Sequence, residues 1–225
     1  MTSPRITLSR VSMFRVISAW GKHKKFKTVL KEIDIDLVPG ESVGIIGANG
    51  SGKTTLLRII AGIYFPDQGE VKSEGRVGML LDSGYGLDHR LSGRRNCETR
   101  AILNRIPRGQ QAKFVNWVQA FSGIDEHFEL PLSQYSSGML TRLAFAMNAF
   151  DAPDILLIDE GIGNADSQFR ERAFSRLDEL CDKSSIVVIA SHDKEILRRR
   201  CTRGVVLSDG EITYDGTLEQ ALERS

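Results

Sequence analysis

Hydrophobic and polar residues alternate from Ile6 to Val11 and again from Ile33 to Val38, the period-two pattern of strands with one buried face. Between them, Met13 to Thr28 mixes aromatics with lysines and reads as a strand end and loop. Pro39-Gly40-Glu41 turns the chain into a short apolar strand, Ser42-Val43-Gly44-Ile45-Ile46. Continuous apolar runs recur at Ile155–Ile158 and Ser185–Ala190, as expected for parallel strands covered on both faces. Helical spacing is predicted over Thr55–Ala61 with Gly62 as its cap, and over Arg94–Phe121 with a break at Pro107. It recurs over Gly138–Phe150 and Ser167–Cys181. Pro66-Asp67-Gln68-Gly69 is a turn before short strands at Glu70–Lys72 and Arg76–Leu80. Ser83 to Gly93 carries three glycines and reads as a loop, and Gly204–Ser208 with Glu211–Tyr214 suggests a hairpin turning at Asp209-Gly210. The order predicts an α/β core interrupted by a helical insertion at about 87–149, within one domain spanning 1–225.

The stretch Gly47-Ala48-Asn49-Gly50-Ser51-Gly52-Lys53-Thr54 sits between the strand ending at Ile46 and the helix beginning near Thr55. It meets the G-x-x-x-x-G-K-[ST] phosphate-binding pattern (the P-loop) at every required position and in the required strand–loop–helix context. A triphosphate is a dense anion that needs many donors at short range. Glycines let backbone N–H groups point inward, and the helix N-terminus adds positive potential. Lys53 supplies an ammonium, and the Thr54 hydroxyl suits a Mg²⁺ ion. On these grounds Gly44 and Thr55 read as structural.

Composition narrows the class without naming a partner. The chain is 41% hydrophobic and 26% charged, with a formal net charge of +1, so it has no global electrostatic case for nucleic acid. Lys22-His23-Lys24-Lys25 and Arg198-Arg199-Arg200 read as solvated faces. Cys97, Cys181 and Cys201 match neither a disulfide framework nor a zinc spacing and read as thiols in a reducing compartment. The N-terminus lacks a signal-peptide pattern, and no apolar run approaches the ~20 residues that cross a bilayer. Work at a membrane then calls for a separate spanning partner.

Three further places carry candidate chemistry. Asp159-Glu160 ends the apolar strand; beside a P-loop, Asp159 can hold Mg²⁺ and Glu160 can orient or deprotonate an attacking water. His192 follows the Ser185–Ala190 strand, on the edge where α/β folds bind ligands, and could reach a γ-phosphate; standing alone it would read as a helix-start residue. Tyr135-Ser136-Ser137-Gly138-Met139 opens a helix and reads equally as an anion site or an ordinary N-cap.

Together these stretches resemble the nucleotide-binding subunit of ATP-binding cassette (ABC) transporters, over nearly the whole chain and in motif order. Gly47–Thr54 resembles the family's Walker A, Ile155–Glu160 its Walker B and Tyr135–Met139 its signature. Gly163-Asn164-Ala165-Asp166 resembles the D-loop and His192 the switch histidine. The resemblance implies a P-loop NTPase core with an antiparallel β subdomain and an inserted helical subdomain. It implies ATP and Mg²⁺ as ligands, with Gly47, Ala48, Asn49, Gly50, Ser51, Gly52, Lys53, Thr54 and Thr55 on the nucleotide. Thr54, Asp159 and Asp82 would serve the metal, and Glu160 and His192 catalysis. It implies a head-to-tail homodimer, in which Ser136, Ser137 and Gly138 serve the partner's ATP and Asp166 belongs to the D-loop.

A narrower resemblance, to polysaccharide-exporting ABC ATPases, rests on Leu80–Gly86, Leu91–Arg94, Tyr135–Met139 and Asp159–Phe169. It implies a peripheral subunit on the cytoplasmic face of the bacterial inner membrane, with a separate multi-span permease and a capsule, O-antigen or teichoic-acid type of polymer. Ending at Ser225, the chain resembles the shorter forms, which have no added carbohydrate-binding domain. Ser83 to Leu91 is the segment expected to meet the membrane partner. Asp82 stands where most of the family has glutamine, and Arg95 where a glutamate is usual. The adenine-stacking aromatic is open between Phe14, Trp20 and Phe26. A soluble ABC ATPase acting on nucleic acid or ribosomes, or a P-loop kinase or GTPase, are the competing readings. The first usually carries tandem cassettes or long coiled-coil insertions, and the second gives Tyr135–Met139 no role.

Overall fold

The computed structural model describes residues 3–20, 23–80, 86–159 and 166–225, with backbone alone at 17–20 and 23–25. The chain divides into two compact units. The first comprises residues 1–79, 153–159 and 184–225; the second comprises 80–152 and 160–183.

In the first unit, β1 (Arg5–Trp20) pairs antiparallel with β2 (His23–Leu37), from Ile6 opposite Leu37 to Trp20 opposite His23. The strand β4 (Gln68–Glu74) joins the other side of β1, but only along Arg5–Ser12. Both strands thus run through the stretch expected to be a strand end and loop. Sequence periodicity misses this part because Arg15, Val16, Phe26, Lys27 and Thr28 are exposed and impose no alternation, and four register shifts along β1 break the period further.

The second sheet has the strand order β5-β6-β7-β3-β8-β9. Here β3 is Ser42–Ile46, β5 Val77–Leu80, β6 Ile155–Asp159, β7 Ile186–Ala190, β8 Arg203–Ser208 and β9 Glu211–Thr217. The pairs β6–β7, β7–β3 and β3–β8 are parallel, and β9 returns antiparallel to β8. Every residue of β6 and β7 is buried, which explains their unbroken apolar sequences. The turn at Asp209-Gly210 has φ of 49° and 82°, the positive values a two-residue hairpin needs. Gly44 and Gly204 lie side by side in the β3–β8 register. A Cβ at Gly204 would stand 2.4 Å from the Ala221 methyl, and one at Gly44 would stand 3.0 Å from Leu197. This bare stripe lets α6 (Lys194–Arg200) and α7 (Leu218–Glu223) lie close on the sheet. Neither helix stands out in the sequence, because each is seven residues or fewer. On the P-loop side, α1 (Lys53–Ile60) buries Leu56, Leu57, Ile59 and Ile60 in the same core as Ile45, Ile155 and Val188.

The second unit is helical: α2 (Gly93–Leu103), α3 (Arg108–Ser122), α4 (Ser137–Asn148) and α5 (Ser167–Lys183), with 3₁₀ turns at Asp125–Glu129 and Leu132–Gln134. Pro107 separates α2 from α3, because proline offers no N–H and excludes helix from the residue before it. Phe169 of α5 is fully buried and meets Phe121 and Phe145 edge-on, each at 5.8 Å between centroids. Truncation there removes dispersion contacts and leaves a hole. Phe169→Ala should destabilise the helical unit by about 3–5 kcal/mol. Urea unfolding followed by Trp117 fluorescence reads this, since Trp117 stacks on Phe121 at 4.8 Å. An unchanged midpoint would contradict the packing.

Candidate functional site

Three adjacent parallel strands, β6, β7 and β3, end at one edge of the sheet. Residues just beyond such strands share a crevice, the usual ligand position in open α/β sheets. Gly47–Gly52 leaves β3 there, Asp159 closes β6, and His192 lies two residues past β7.

Glycine is needed in the loop for two separate reasons. A Cβ on Gly47 would sit 2.1 Å from the Leu207 carbonyl oxygen. Gly52 has φ 112°, and a Cβ there would also press to 2.9 Å on the Val29 carbonyl. The loop is therefore seated on β8 and β2, and α1 starts directly after Gly52.

Lys53 is the first residue of α1 and only 7% exposed. Its ammonium donates to the carbonyls of Gly47 at 2.8 Å and Ala48 at 3.2 Å, and lies 3.3 Å from His192 Nε2. Among the described residues, its hydrogen-bond partners are two loop carbonyls and an imidazole. The Ser51 hydroxyl is buried with no hydrogen-bond partner among the described residues. A buried cation and an unpartnered donor on one glycine loop fit a phosphate group. His192 Nε2 is also 2.7 Å from Asn49 Oδ1. Lys53 carries only donors, so Nε2 serves one neighbour at a time: its N–H to Asn49 or its lone pair to Lys53. Thr54 Oγ1 donates to Asp159 Oδ1 at 3.2 Å, and Asp159 is nearly buried. A hydroxyl and a carboxylate at this spacing are the hard oxygen donors that Mg²⁺ takes. Thr55 is half-buried on α1. Glu160 and Asp82 lie outside the described residues.

The other expected positions belong to the helical unit. Ser136 and Ser137 are exposed at the start of α4, and Gly138 is half-buried. The Ser136 hydroxyl accepts from the Met139 N–H at 3.2 Å, so this residue is the N-cap of α4. Capping uses the oxygen lone pair and leaves the hydroxyl proton to be donated. Tyr135 anchors the segment by donating to the His127 carbonyl at 2.8 Å, and burial pushes its phenol up to about 12. Asp166 accepts the Phe169 N–H at 2.9 Å, which, ahead of any charge nearby, holds its carboxyl below the usual range. Arg142 lies 3.8 Å from it.

The adenine-stacking candidates differ in setting. Phe14 is half-buried and its N–H donates to Asp67, whereas Phe26 is 59% exposed. The side chain of Trp20 is outside the description. Sequence alone lists Asn49 merely as a loop position; its contact with His192 spans 143 residues, beyond any local pattern. Ser51 likewise carries no sequence mark of its orphaned hydroxyl. Asp193, capping α6 by accepting from the Glu195 and Ile196 N–H groups, explains why the chain turns back immediately after His192.

The sheet order, the glycine loop at its carboxyl edge and the Thr54–Asp159 pair define a P-loop NTPase. Residues 30–163 match the family described as ABC transporter. The O-antigen export system ATP-binding protein RfbE of Yersinia enterocolitica is 39% identical over 85% of this chain and 80% of that protein. The teichoic acids export ATP-binding protein TagH of Shouchella clausii is 30% identical over 90% of this chain; the chain spans only 56% of that protein. A bacterial ABC transporter cassette solved as a dimer superposes with a TM-score of 0.74 at 25% identity, covering 95% of this chain and 98% of that one. The chain belongs to the ABC transporter family and is an ATPase of it.

Lys53→Ala removes the only cation shown in the loop. ATP turnover should fall by about 10²-fold or more, the scale for losing one preorganised charge on a developing anion. Phosphate release by the purified variant measures this, with circular dichroism to confirm folding. Turnover at the wild-type rate would remove Lys53 from the site.

Proposed function

We propose that this chain is the ATP-hydrolysing subunit of a transporter that exports a cell-surface polysaccharide, of capsule, O-antigen or teichoic-acid type, through a separate multi-span permease. The observation that carries the reading is the 39% identity to an O-antigen export ATP-binding protein across 85% of the chain. Among the described residues no helix is long and apolar enough to cross a membrane, which agrees with a spanning partner supplied by another chain. The chain then works as a peripheral subunit on the cytoplasmic face of the inner membrane.

In this reading Gly47–Thr55 cradles the phosphates of ATP, with Lys53 exchanging its loop carbonyls for phosphate oxygens. Thr54 and Asp159 hold Mg²⁺, and Asp82 is a further candidate ligand. The ion, when bound, neutralises phosphate charge as the bond to the leaving group breaks. Glu160 follows Asp159 directly and takes the proton of the attacking water. His192, within hydrogen-bond reach of both Asn49 and Lys53, hydrogen-bonds the γ-phosphate. Two copies pair head to tail, and Ser136, Ser137 and Gly138 of each serve the nucleotide on the other. Ser136 keeps its lone pair on Met139 and donates its proton outward. Asp166 lies in the segment between the paired copies, the family's D-loop.

Deleting the chain in its host should strand polymer in the cytoplasm and strip it from the surface. Surface polymer at the normal level would overturn the export reading. Glu160→Gln should retain ATP binding while slowing hydrolysis by roughly 10²–10⁴-fold; normal turnover would exclude Glu160 as the base. A mixture of Ser136→Arg subunits with Lys53→Ala subunits should recover activity that neither has alone, because one composite site stays intact. Absence of recovery under exchange conditions would count against shared sites.

A further inference from the structure

Leu91–Arg94 and Tyr135–Met139 are distant in sequence and meet in the helical unit at Gly93 and Tyr135. Tyr135 directly precedes Ser136, the exposed N-cap of α4. It is buried, 8% exposed, in the same core as Cys97, Phe128, Leu132 and Leu143. Its N–H donates to the Leu132 carbonyl at 3.0 Å, and its hydroxyl to the His127 carbonyl at 2.8 Å. A buried phenol bonded at its tip cannot turn without leaving a polar group unpaired, so it fixes the backbone that leads into Ser136. The first residue of α2 shapes the seat from the other side. A Cβ on Gly93 would stand 2.5 Å from the Tyr135 hydroxyl oxygen and 3.0 Å from both the ring and the carbonyl oxygen of Phe128. Glycine is required here for space.

Hydrogen bonds hold this seat in place by joining the chain before α2 to the chain before α4. The Leu132 N–H donates to the Leu91 carbonyl at 3.0 Å, and the Ser133 N–H to the His89 carbonyl at 2.9 Å. Asn96 of α2 is 5% exposed and secures the same loop. Its Nδ2 donates to the carbonyls of Asp88 at 3.0 Å and Ser92 at 2.9 Å, and its Oδ1 accepts the Asp88 N–H at 2.8 Å. Loop, α2 and the approach to α4 thus form one bonded frame, and Tyr135 is the side chain that ties Ser136 to it. A close-packed interior transmits a displacement of such a side chain to its neighbours.

We propose that Tyr135, seated against Gly93, is a positioning residue for ATP hydrolysis: it sets where Ser136 stands and so acts on the nucleotide held by the other copy. The inference rests on the head-to-tail pairing proposed for Ser136.

The experiment measures ATP turnover by purified variants, singly and mixed. Gly93→Ala should lower kcat by about 10²-fold, because its methyl displaces the phenol by roughly 1 Å. Tyr135→Phe adds no atom and should lower kcat by about fivefold, the weight of one hydrogen bond. The two substitutions together should return kcat to the level of Tyr135→Phe alone, since the oxygen that the methyl strikes is gone. Each variant should bind a fluorescent ATP analogue like the wild type, because its own P-loop is intact. Mixing separates positioning from loss of stability. Gly93→Ala subunits combined with Lys53→Ala subunits should recover activity that neither shows alone, since one composite site joins the P-loop of the first to the undisturbed Ser136 of the second. A misfolded subunit offers no working P-loop and recovers nothing. Tyr135→Phe mixed with Lys53→Ala gives the same result at smaller amplitude, so the outcome does not depend on the alanine variant folding. The Ser136→Arg and Lys53→Ala mixture runs beside both. Recovery there alone would overturn the positioning role and leave the shared-site reading standing; recovery in no mixture would overturn both. Wild-type turnover by Gly93→Ala, or no rescue of it by Tyr135→Phe, would make Tyr135 an ordinary packing residue.

Discussion

A lysine ammonium buried on a glycine loop is the constraint around which the first unit is arranged. Among the described residues the Lys53 ammonium has two loop carbonyls and an imidazole for partners, and the nearby Ser51 hydroxyl is buried with none. A buried charge is costly, and it is tolerated where surrounding structure imposes it. Here the imposing structure is specific: Leu207 of β8 and Val29 of β2 press against the backbone at Gly47 and Gly52 and leave no room for side chains.

The rest of the site follows from strand order. Because β6, β7 and β3 are neighbours and parallel, residues more than a hundred positions apart emerge at one edge. Thr54 meets Asp159 across 105 residues and Lys53 meets His192 across 139. The glycine loop, the Thr54–Asp159 pair and His192 are thereby set on one sheet, where small displacements cost core packing. The paired glycines at 44 and 204 contribute from the opposite direction, allowing α6 and α7 to seal the sheet that carries the loop.

Charge is distributed with equal economy. Ion pairs gather along β1 and β2 and at Arg203, which bridges Glu41 and Asp215 and is driven upward chiefly by its hydrogen bond to Asp215. Arg15 and Lys27, opposite one another on β1 and β2, are both exposed. In the helical unit Ser136 caps α4 and Asp166 accepts the Phe169 N–H at the start of α5, and both remain exposed.

The sequence by itself determined the local chemistry. The glycine spacing of Gly47–Thr54, the apolar run into Asp159, the break at Pro107 and the turn at Asp209-Gly210 are short-range patterns. Each depends on backbone geometry within a few residues, and this is why they are legible in one chain. Only the tertiary structure decided the partners of Lys53, the Asn49–His192 contact and the orphaned Ser51 hydroxyl, since these depend on which strands lie side by side. Tertiary context also decided the length of β1 and β2. Arg15, Val16, Phe26, Lys27 and Thr28 are exposed and impose no alternation, and their strand character comes from the pairing of β1 with β2. The helices α6 and α7 were hidden for a related reason: too short to display a period, they are held by two glycines that admit them to the sheet.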